Sequence, residues 1–396
     1  MSAATQSAFD KAERLKQLAP YLFVELDRAK RKLQEAGKDV IDLGVGDPDL
    51  PTPPPVIARL ARAAEDPANH RYSFTEGIRE LREAIARWYD RRFGVALDPQ
   101  TEVLPLLGSK EGLAHFPLAV ANPGDAVLVP DPGYPPYRSG TVLAGAEVVP
   151  LPLVEENGFF PDLWAVSQKA ARRAKVLFLN YPNNPTAAVA SAEQLQEAID
   201  FAKEFGIAVA HDAAYSEIAF DGTRPMSFLQ LPEAKAIGVE FHSLSKTYHM
   251  TGWRIGWVCG NAALIAALAQ LKTNLDSGIF QAVQWAGIEA LEGDQAPLQQ
   301  AVATYQERRD LLVDGLAKAG WQIPKPAATF YVWARLPAQG SSMAFASRVL
   351  ETAHVVLTPG VGFGPSGEGY VRFSLTVPTE RMQEAVARLS KALAAA

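Results

Sequence analysis

The 396-residue chain contains one cysteine, Cys259, so no internal disulfide can form. Its setting, Gly256-Trp257-Val258-Cys259-Gly260, predicts a buried strand rather than a redox site. No apolar run approaches the roughly 18 residues of a membrane span, which argues against membrane partners. Residues 1–7 lack the charged start and apolar block of a secretory signal, and with the cysteine count this predicts a cytoplasmic location. Basic runs are also missing: Lys+Arg 38 against Asp+Glu 44 gives a net charge of -6 and no phosphate-tracking nucleic-acid surface. The 6 histidines are scattered without H-E-x-x-H or paired-cysteine spacing, so no structural or catalytic metal is expected. Internal repeats and low-complexity tracts are absent as well. What is present, 48% apolar and 21% charged residues, is a soluble globular composition of two-domain length. The expected partners are small molecules and further copies of the chain.

Residues 8–36 are charged and helix-forming and lead into a short strand, 40–43, that ends in Gly44-Val45-Gly46-Asp47-Pro48. A proline-rich connector, 51–55, precedes a periodic helix with Ile78, Leu81, Ile85 and Trp88 on one face. From residue 101 onward short apolar runs alternate with helical segments, which argues for a mostly parallel sheet between helix layers, an α/β fold. Five polar clusters follow five of these runs, at 108–112, 131–135, 180–186, 211–215 and 243–254. In such sheets ligands lie outside the carboxyl ends of the strands, so the clusters are expected to share one edge. Beyond residue 286 the pattern becomes a long helical stretch to 319, short strands at 330–334 and 370–375 and a final helix at 380–394, a smaller α+β domain. The expected division is 1–50 as a segment joining the small domain, 51–285 as the large domain and 286–396 as the small one.

Ser243-Leu244-Ser245-Lys246-Thr247-Tyr248-His249-Met250-Thr251-Gly252-Trp253-Arg254 concentrates the most unusual chemistry. Hydroxyls and a guanidinium around one lysine suit a phosphate-bearing aldehyde: the amine forms a Schiff base while Ser and Arg hold the phosphate. That is pyridoxal phosphate chemistry. The S-x-x-K pattern within it is not completed by S-D-N or K-T-G, which sets the serine-nucleophile reading aside. Gly362-Phe363-Gly364-Pro365-Ser366-Gly367 matches G-x-G-x-x-G, but a strand follows it rather than the helix a dinucleotide needs. Pyridoxal phosphate also needs a carboxylate to keep its ring nitrogen protonated, and Asp212, at the end of a buried run, is the candidate; its alternative is a helix N-cap. Tyr215 and Asn184 are candidate donors to the ring oxygen, although Asn-Pro is also a plain turn signal. Tyr134 could stack on the ring or pack in a turn. Gly108-Ser109-Lys110 opens a helix and offers amides and a hydroxyl to a phosphate, or is a simple cap. Arg372 sits within an apolar strand, so it either recognises a carboxylate or forms an internal ion pair.

Together, Tyr181-Pro182-Asn183-Asn184-Pro185-Thr186, Asp212-x-x-Tyr215, Ser243-x-Ser245-Lys246 with Gly252-Trp253-Arg254, and Arg372 resemble the fold-type I aminotransferases of class I/II from about residue 40 to the C-terminus. The resemblance implies a large domain with a mostly parallel seven-stranded sheet, a pyridoxal 5'-phosphate cofactor and a homodimer with shared active sites. By the same resemblance Lys246 is the Schiff-base lysine and proton carrier, Asp212 pairs with the ring nitrogen, and Asn184 and Tyr215 contact the ring oxygen. Tyr134 stacks on the ring, and Ser109, Lys110, Ser243, Ser245 and Arg254 surround the phosphate, with Tyr72 reaching it from the other subunit. Arg372, the Gly46 amide and Asn184 bind the substrate. The stretches 108–115, 134–140 and 211–217 are similar to sequences assigned as LL-diaminopimelate aminotransferases, which implies amino transfer to 2-oxoglutarate in lysine biosynthesis. Alanine or aspartate transamination and carbon–sulfur β-elimination are the alternatives on the same fold. A non-enzymatic regulator would carry an additional domain, for which the residues before the first strand are too few. Two positions depart from the family pattern: Ala187 stands where glycine is usual and His249 where asparagine is common.

Overall fold

The structure, a computed structural model, describes residues 10–18, 22–74 and 76–394. The predicted helical stretch 8–36 becomes two helices, Glu13–Lys16 and Leu22–Glu35, with 8, 9 and 19–21 outside the described residues, as is the 1–7 start. Twelve strands follow in order: β1 Ile41–Asp42, β2 Val103–Leu106, β3 Ala126–Asp131, β4 Glu147–Pro152, β5 Ala174–Asn180, β6 Ala208–Asp212, β7 Gly238–Ser243, β8 Gly256–Gly260, β9 Tyr331–Arg335, β10 Val355–Val356, β11 Thr358–Pro359 and β12 Tyr370–Ser374.

Seven of them form one sheet in the order β2-β8-β7-β6-β5-β3-β4. Pairs among β3 to β7 are parallel, and β8 alone runs against its neighbours. This is the mostly parallel seven-stranded sheet that the βα alternation predicts. Helices cover both faces, so β5 to β7 are buried on both sides and read as continuous apolar runs instead of alternating ones. Strand β4 escapes the sequence reading for a physical reason. It carries Pro150 and Pro152 and is half exposed, because it lies at the sheet edge, where a missing N–H is tolerated.

The remaining strands build two small sheets, an antiparallel β11-β12-β9 and a parallel β1-β10. Ile41 and Leu43 join a buried cluster with Leu312, Leu316, Val332, Phe373 and Leu389, so chain from both ends shares one apolar core. Two expectations need correction. The helical stretch predicted to 319 is two helices, Gln281–Glu292 and Ala296–Lys318, broken at Gly293 with Pro297 in the first turn of the second. The 51–55 connector ends early, because Pro54 and Pro55 open the helix Pro54–Glu65, where proline lacks no needed donor. Both departures from the family pattern sit in left-handed backbone, Ala187 at φ 60 and His249 at φ 54, which glycine and asparagine enter most readily.

The strand ends place Asp131, Asn180, Asp212 and Ser243 on one edge of the sheet, as the five polar clusters require. Behind that edge Glu240, fully buried on β7, accepts from Tyr89 Oη (2.9 Å), Ser227 Oγ (2.8 Å) and the Phe228 amide (2.7 Å). The ring nitrogens of His211 and His242 lie 2.8 and 3.0 Å from its oxygens. These partners outweigh burial and hold the Glu240 carboxyl far below the usual carboxylate range, the hydrogen bonds from His211 and His242 foremost. A depressed folded value means that the carboxylate's contribution is complete above about pH 4.5, its ordinary value, and fades as pH falls below it. Glu240→Gln is therefore expected to lower unfolding stability at pH 7 by about 3 kcal/mol, measured by urea denaturation, with the deficit shrinking at acid pH.

Candidate active site

The edge of the sheet opens into a cavity of about 290 Å³. Nine of the residues singled out from the sequence line it: Gly46, Ser109, Tyr134, Asn184, Asp212, Tyr215, Ser243, Lys246 and Arg372. Four others do not. Arg254 lies just behind the lining, its Nη2 donating to Leu107 O at 3.2 Å. Ser245 is buried next to Lys246, with its amide donating to Ser243 Oγ at 3.2 Å. Lys110 occupies the exposed second position of the helix Ser109–Val120, and Tyr72 is 77% exposed outside the cavity of its own chain.

Strand β7 ends at Ser243, whose side chain caps the single turn Leu244–Thr247 and so fixes where Lys246 projects. Lys246 Nζ donates to Gly46 O at 3.2 Å, across 200 positions of sequence. A Cβ on Gly46 would fall 2.0 Å from Tyr331 Oη, so any larger residue there would force the Tyr331 ring to move. Tyr331 Oη in turn lies 3.2 Å from Tyr215 Oη, and burial, reinforced by the neighbouring phenol, pushes the Tyr215 pKa well up, so it stays a protonated donor.

Asp212, at the end of β6, is 3% exposed. Tyr137 Oη donates to its Oδ2 at 2.7 Å and the Ala214 amide to its Oδ1 at 3.3 Å. Burial dominates and pushes the carboxyl up, while the Tyr137 bond pulls the other way. The site therefore favours a cation arriving next to Asp212.

Asn184 is held by its neighbour in the sheet. Asn180 Oδ1 accepts the Asn184 amide at 2.8 Å, and Asn180 Nδ2 donates to Asp212 O at 2.8 Å, so one side chain ties the ends of β5 and β6. From β12, Arg372 Nη1 donates to Asn184 Oδ1 and Nη2 to Gly44 O, both at 2.7 Å. Its guanidinium carbon lies 4.0 Å from the Tyr331 ring centre and 4.7 Å from that of Phe363. An amide oxygen, a carbonyl oxygen and two aromatic rings thus take part in holding Arg372.

On the opposite wall, Gly108 adopts φ +78 and begins the helix Ser109–Val120. A Cβ on Gly108 would lie 2.5 Å from Arg254 Nη2, so a guanidinium and the helix N-terminus converge there. Asn180, Tyr137, Tyr331 and Phe363 were given no role from sequence. A signal existed for Tyr137, one helical turn beyond Tyr134, and for Asn180, level with Asp212 in the sheet register. None marked Tyr331 or Phe363, whose positions depend on how distant segments meet.

Residues 38–389 match the family Aminotransferase class I and II. LL-diaminopimelate aminotransferase from Syntrophobacter fumaroxidans is 58% identical over 384 residues, covering 97% of this chain and 99% of that protein. The enzyme of the same name from Desulforudis audaxviator is 56% identical over 382 residues, covering 96% and 97%. Among solved structures, substrate-bound BacF from Bacillus subtilis superposes with a TM-score of 0.93 at 40% identity, over 97% of this chain and 98% of that one. The family works with pyridoxal 5'-phosphate, and the residues here fit that group: an acid whose carboxyl is pushed up by burial suits its ring nitrogen, the Gly108–Arg254 cradle suits its phosphate and Lys246 suits its aldehyde. From its sheet order to its lysine-centred cavity, this chain belongs to the class I and II aminotransferases and is a pyridoxal 5'-phosphate-dependent transaminase of fold type I.

Proposed function

We propose that the enzyme moves an amino group from LL-diaminopimelate to 2-oxoglutarate as a homodimer with shared active sites, and that Lys246 and Asp212 carry the chemistry. The observation that carries the chemical part is the meeting of Lys246, Asp212 and Arg372 in one cavity; the donor is supported by the relatives of that name. When bound, pyridoxal phosphate supplies a protonated ring that draws electrons from the substrate Cα–H bond. The Asp212 carboxylate would hold the proton on the ring nitrogen, and Tyr137, donating to its Oδ2, orients it and offsets part of its burial. Lys246 Nζ would serve as the base that takes the Cα proton and as the acid that gives it back. Arg372, with Asn184 and the Gly46 amide, binds the α-carboxylate and turns the Cα–H bond toward Lys246. Tyr215 and Asn184 would donate to the ring oxygen, Tyr134 would stack on the ring, and Ser109 and Ser243 in the lining, with Lys110, Ser245 and Arg254 next to it, would hold the phosphate.

The dimer reading is supported by an apolar surface next to the Tyr72 segment. Tyr72 is 77%, Phe74 80%, Leu275 54% and Phe280 47% exposed. Ser73 Oγ donates to Ile279 O at 3.1 Å and Gln281 Nε2 to Arg71 O at 3.1 Å, so these aromatics are held by packed backbone. Such a patch calls for a partner surface, and a second copy would bring Tyr72 of the partner subunit to the phosphate. We also propose the division 1–50, 51–285 and 286–396, with both chain ends in the smaller domain.

Half-reactions followed by the loss of the cofactor's visible absorbance are expected to be fastest with LL-diaminopimelate, slower with L-alanine or L-aspartate, and absent with any donor in Lys246→Ala. Aspartate as the best donor would replace the substrate assignment, and release of pyruvate with ammonia would replace transamination by elimination. Tyr137→Phe removes a bond to a charged group worth about 1.5–3 kcal/mol, so titration of cofactor into the cofactor-free protein is expected to give a dissociation constant roughly ten- to hundredfold higher.

A further inference from the structure

The G-x-G-x-x-G stretch that no dinucleotide explains turns out to be part of the cavity wall. Residues 360–367 form two short turns, Gly360–Phe363 and Pro365–Gly367, folded tightly on each other. A Cβ on Gly360 would lie 2.0 Å from Gly367 O, and one on Gly367 would lie 2.2 Å from Gly360 O. Such a unit is stiff. It presents Phe363, 6% exposed, to the cavity and to the face of Arg372.

This unit is fastened to the large sheet at the end of β3. The Ser366 amide donates to Asp131 Oδ1 at 3.1 Å, and the Gly133 amide donates to Phe363 O at 2.9 Å. Gly364 adopts φ +136, and the space its missing Cβ would fill holds Asp131 Oδ1, only 2.0 Å from the ideal Cβ position. Asp131 and Ser366 are 235 positions apart, so this contact bridges the large sheet and the segment that leads into β12. The same turn, Asp131-Pro132-Gly133-Tyr134, presents Tyr134 to the other side of the cavity. Among the charged groups around Asp131, Arg138 faces it from the following helix, and burial dominates its surroundings.

We propose that Asp131 is a positioning residue for the substrate carboxylate: by holding the 360–367 unit against the end of β3 it keeps Phe363 pressed on the Arg372 guanidinium. The Tyr331 ring also packs on the guanidinium, its centre 4.0 Å from the central carbon, so two aromatic rings hold the group in place for the substrate. When Asp131 lets go, Phe363 moves off, water reaches Arg372 and the carboxylate loses its preformed partner. This inference rests on the transaminase reading for its substrate, but the fastening itself is independent of it.

The test uses full-length, cofactor-loaded enzyme with Asp131→Ala, Asp131→Asn and Gly364→Ala. Asp131→Ala and Gly364→Ala are expected to raise KM for amino and 2-oxo acids alike by about tenfold, with kcat within about threefold of the parent. They are also expected to speed deuterium uptake across 360–367 in the absence of substrate, while the cofactor dissociation constant stays unchanged. Asp131→Asn, which keeps an acceptor oxygen, is expected to restore both. Unchanged KM and unchanged uptake in Asp131→Ala would overturn the proposal, and so would a rise in KM accompanied by loss of cofactor, which would place Asp131's action on Tyr134. If no amino acid is turned over by the parent enzyme, the function fails, and the deuterium uptake still decides whether Asp131 fastens the segment.

Discussion

A carboxylate taken out of water at the end of a strand must find a cation or give up its charge. Asp212 is in that position: burial pushes its carboxyl up, and Tyr137 and the Ala214 amide offset only part of the cost. The penalty for such an ion is several kcal/mol if it stays unmatched. A protein retains an acid there when a cation is to be held beside it, and the ring nitrogen of pyridoxal phosphate is such a cation. The proposed roles of Lys246, Tyr215 and Asn184 follow from where that nitrogen would lie.

The parallel sheet explains how the parts meet. Parallel strands send all of their carboxyl ends to one edge, so Asn180, Asp212 and Ser243 become neighbours although helices separate them in sequence. What the large sheet does not supply is the arginine that we propose for the substrate carboxylate. That comes from β12, and it is carried to the cavity by contacts that cross the molecule: Arg372 to Asn184 and Gly44, and the 360–367 unit to Asp131. The same crossing contacts bring Arg372 and Phe363 into the cavity wall.

The parts of this arrangement that sequence discloses are those governed by local chemistry. Runs such as Val176–Leu177–Phe178–Leu179 read as buried strands, and Lys246, Asp212 and Arg372 stand out because a lone charged residue in apolar or hydroxyl-rich surroundings needs a reason. The edge strand β4 did not disclose itself, because its prolines obey edge rules that are visible only once the sheet order is known. The reversal of β8 is likewise a property of pairing. Tyr331 and Phe363 look like core aromatics in sequence, and only the closeness of Gly46 on one side and Arg372 on the other gives them a place in the site. Ala187 and His249 stand out in sequence as departures near the pocket, and their positive φ values show a backbone demand that glycine and asparagine meet most readily.

The most direct test of the account is the protonation state of the cofactor's ring nitrogen in the bound enzyme, read by nitrogen NMR with isotopically labelled pyridoxal phosphate. The account requires a protonated nitrogen at neutral pH in the parent enzyme and an unprotonated one in Asp212→Asn. The same chemical shift in both proteins would contradict it, because the buried acid would then have no part in holding the charge that the reaction uses.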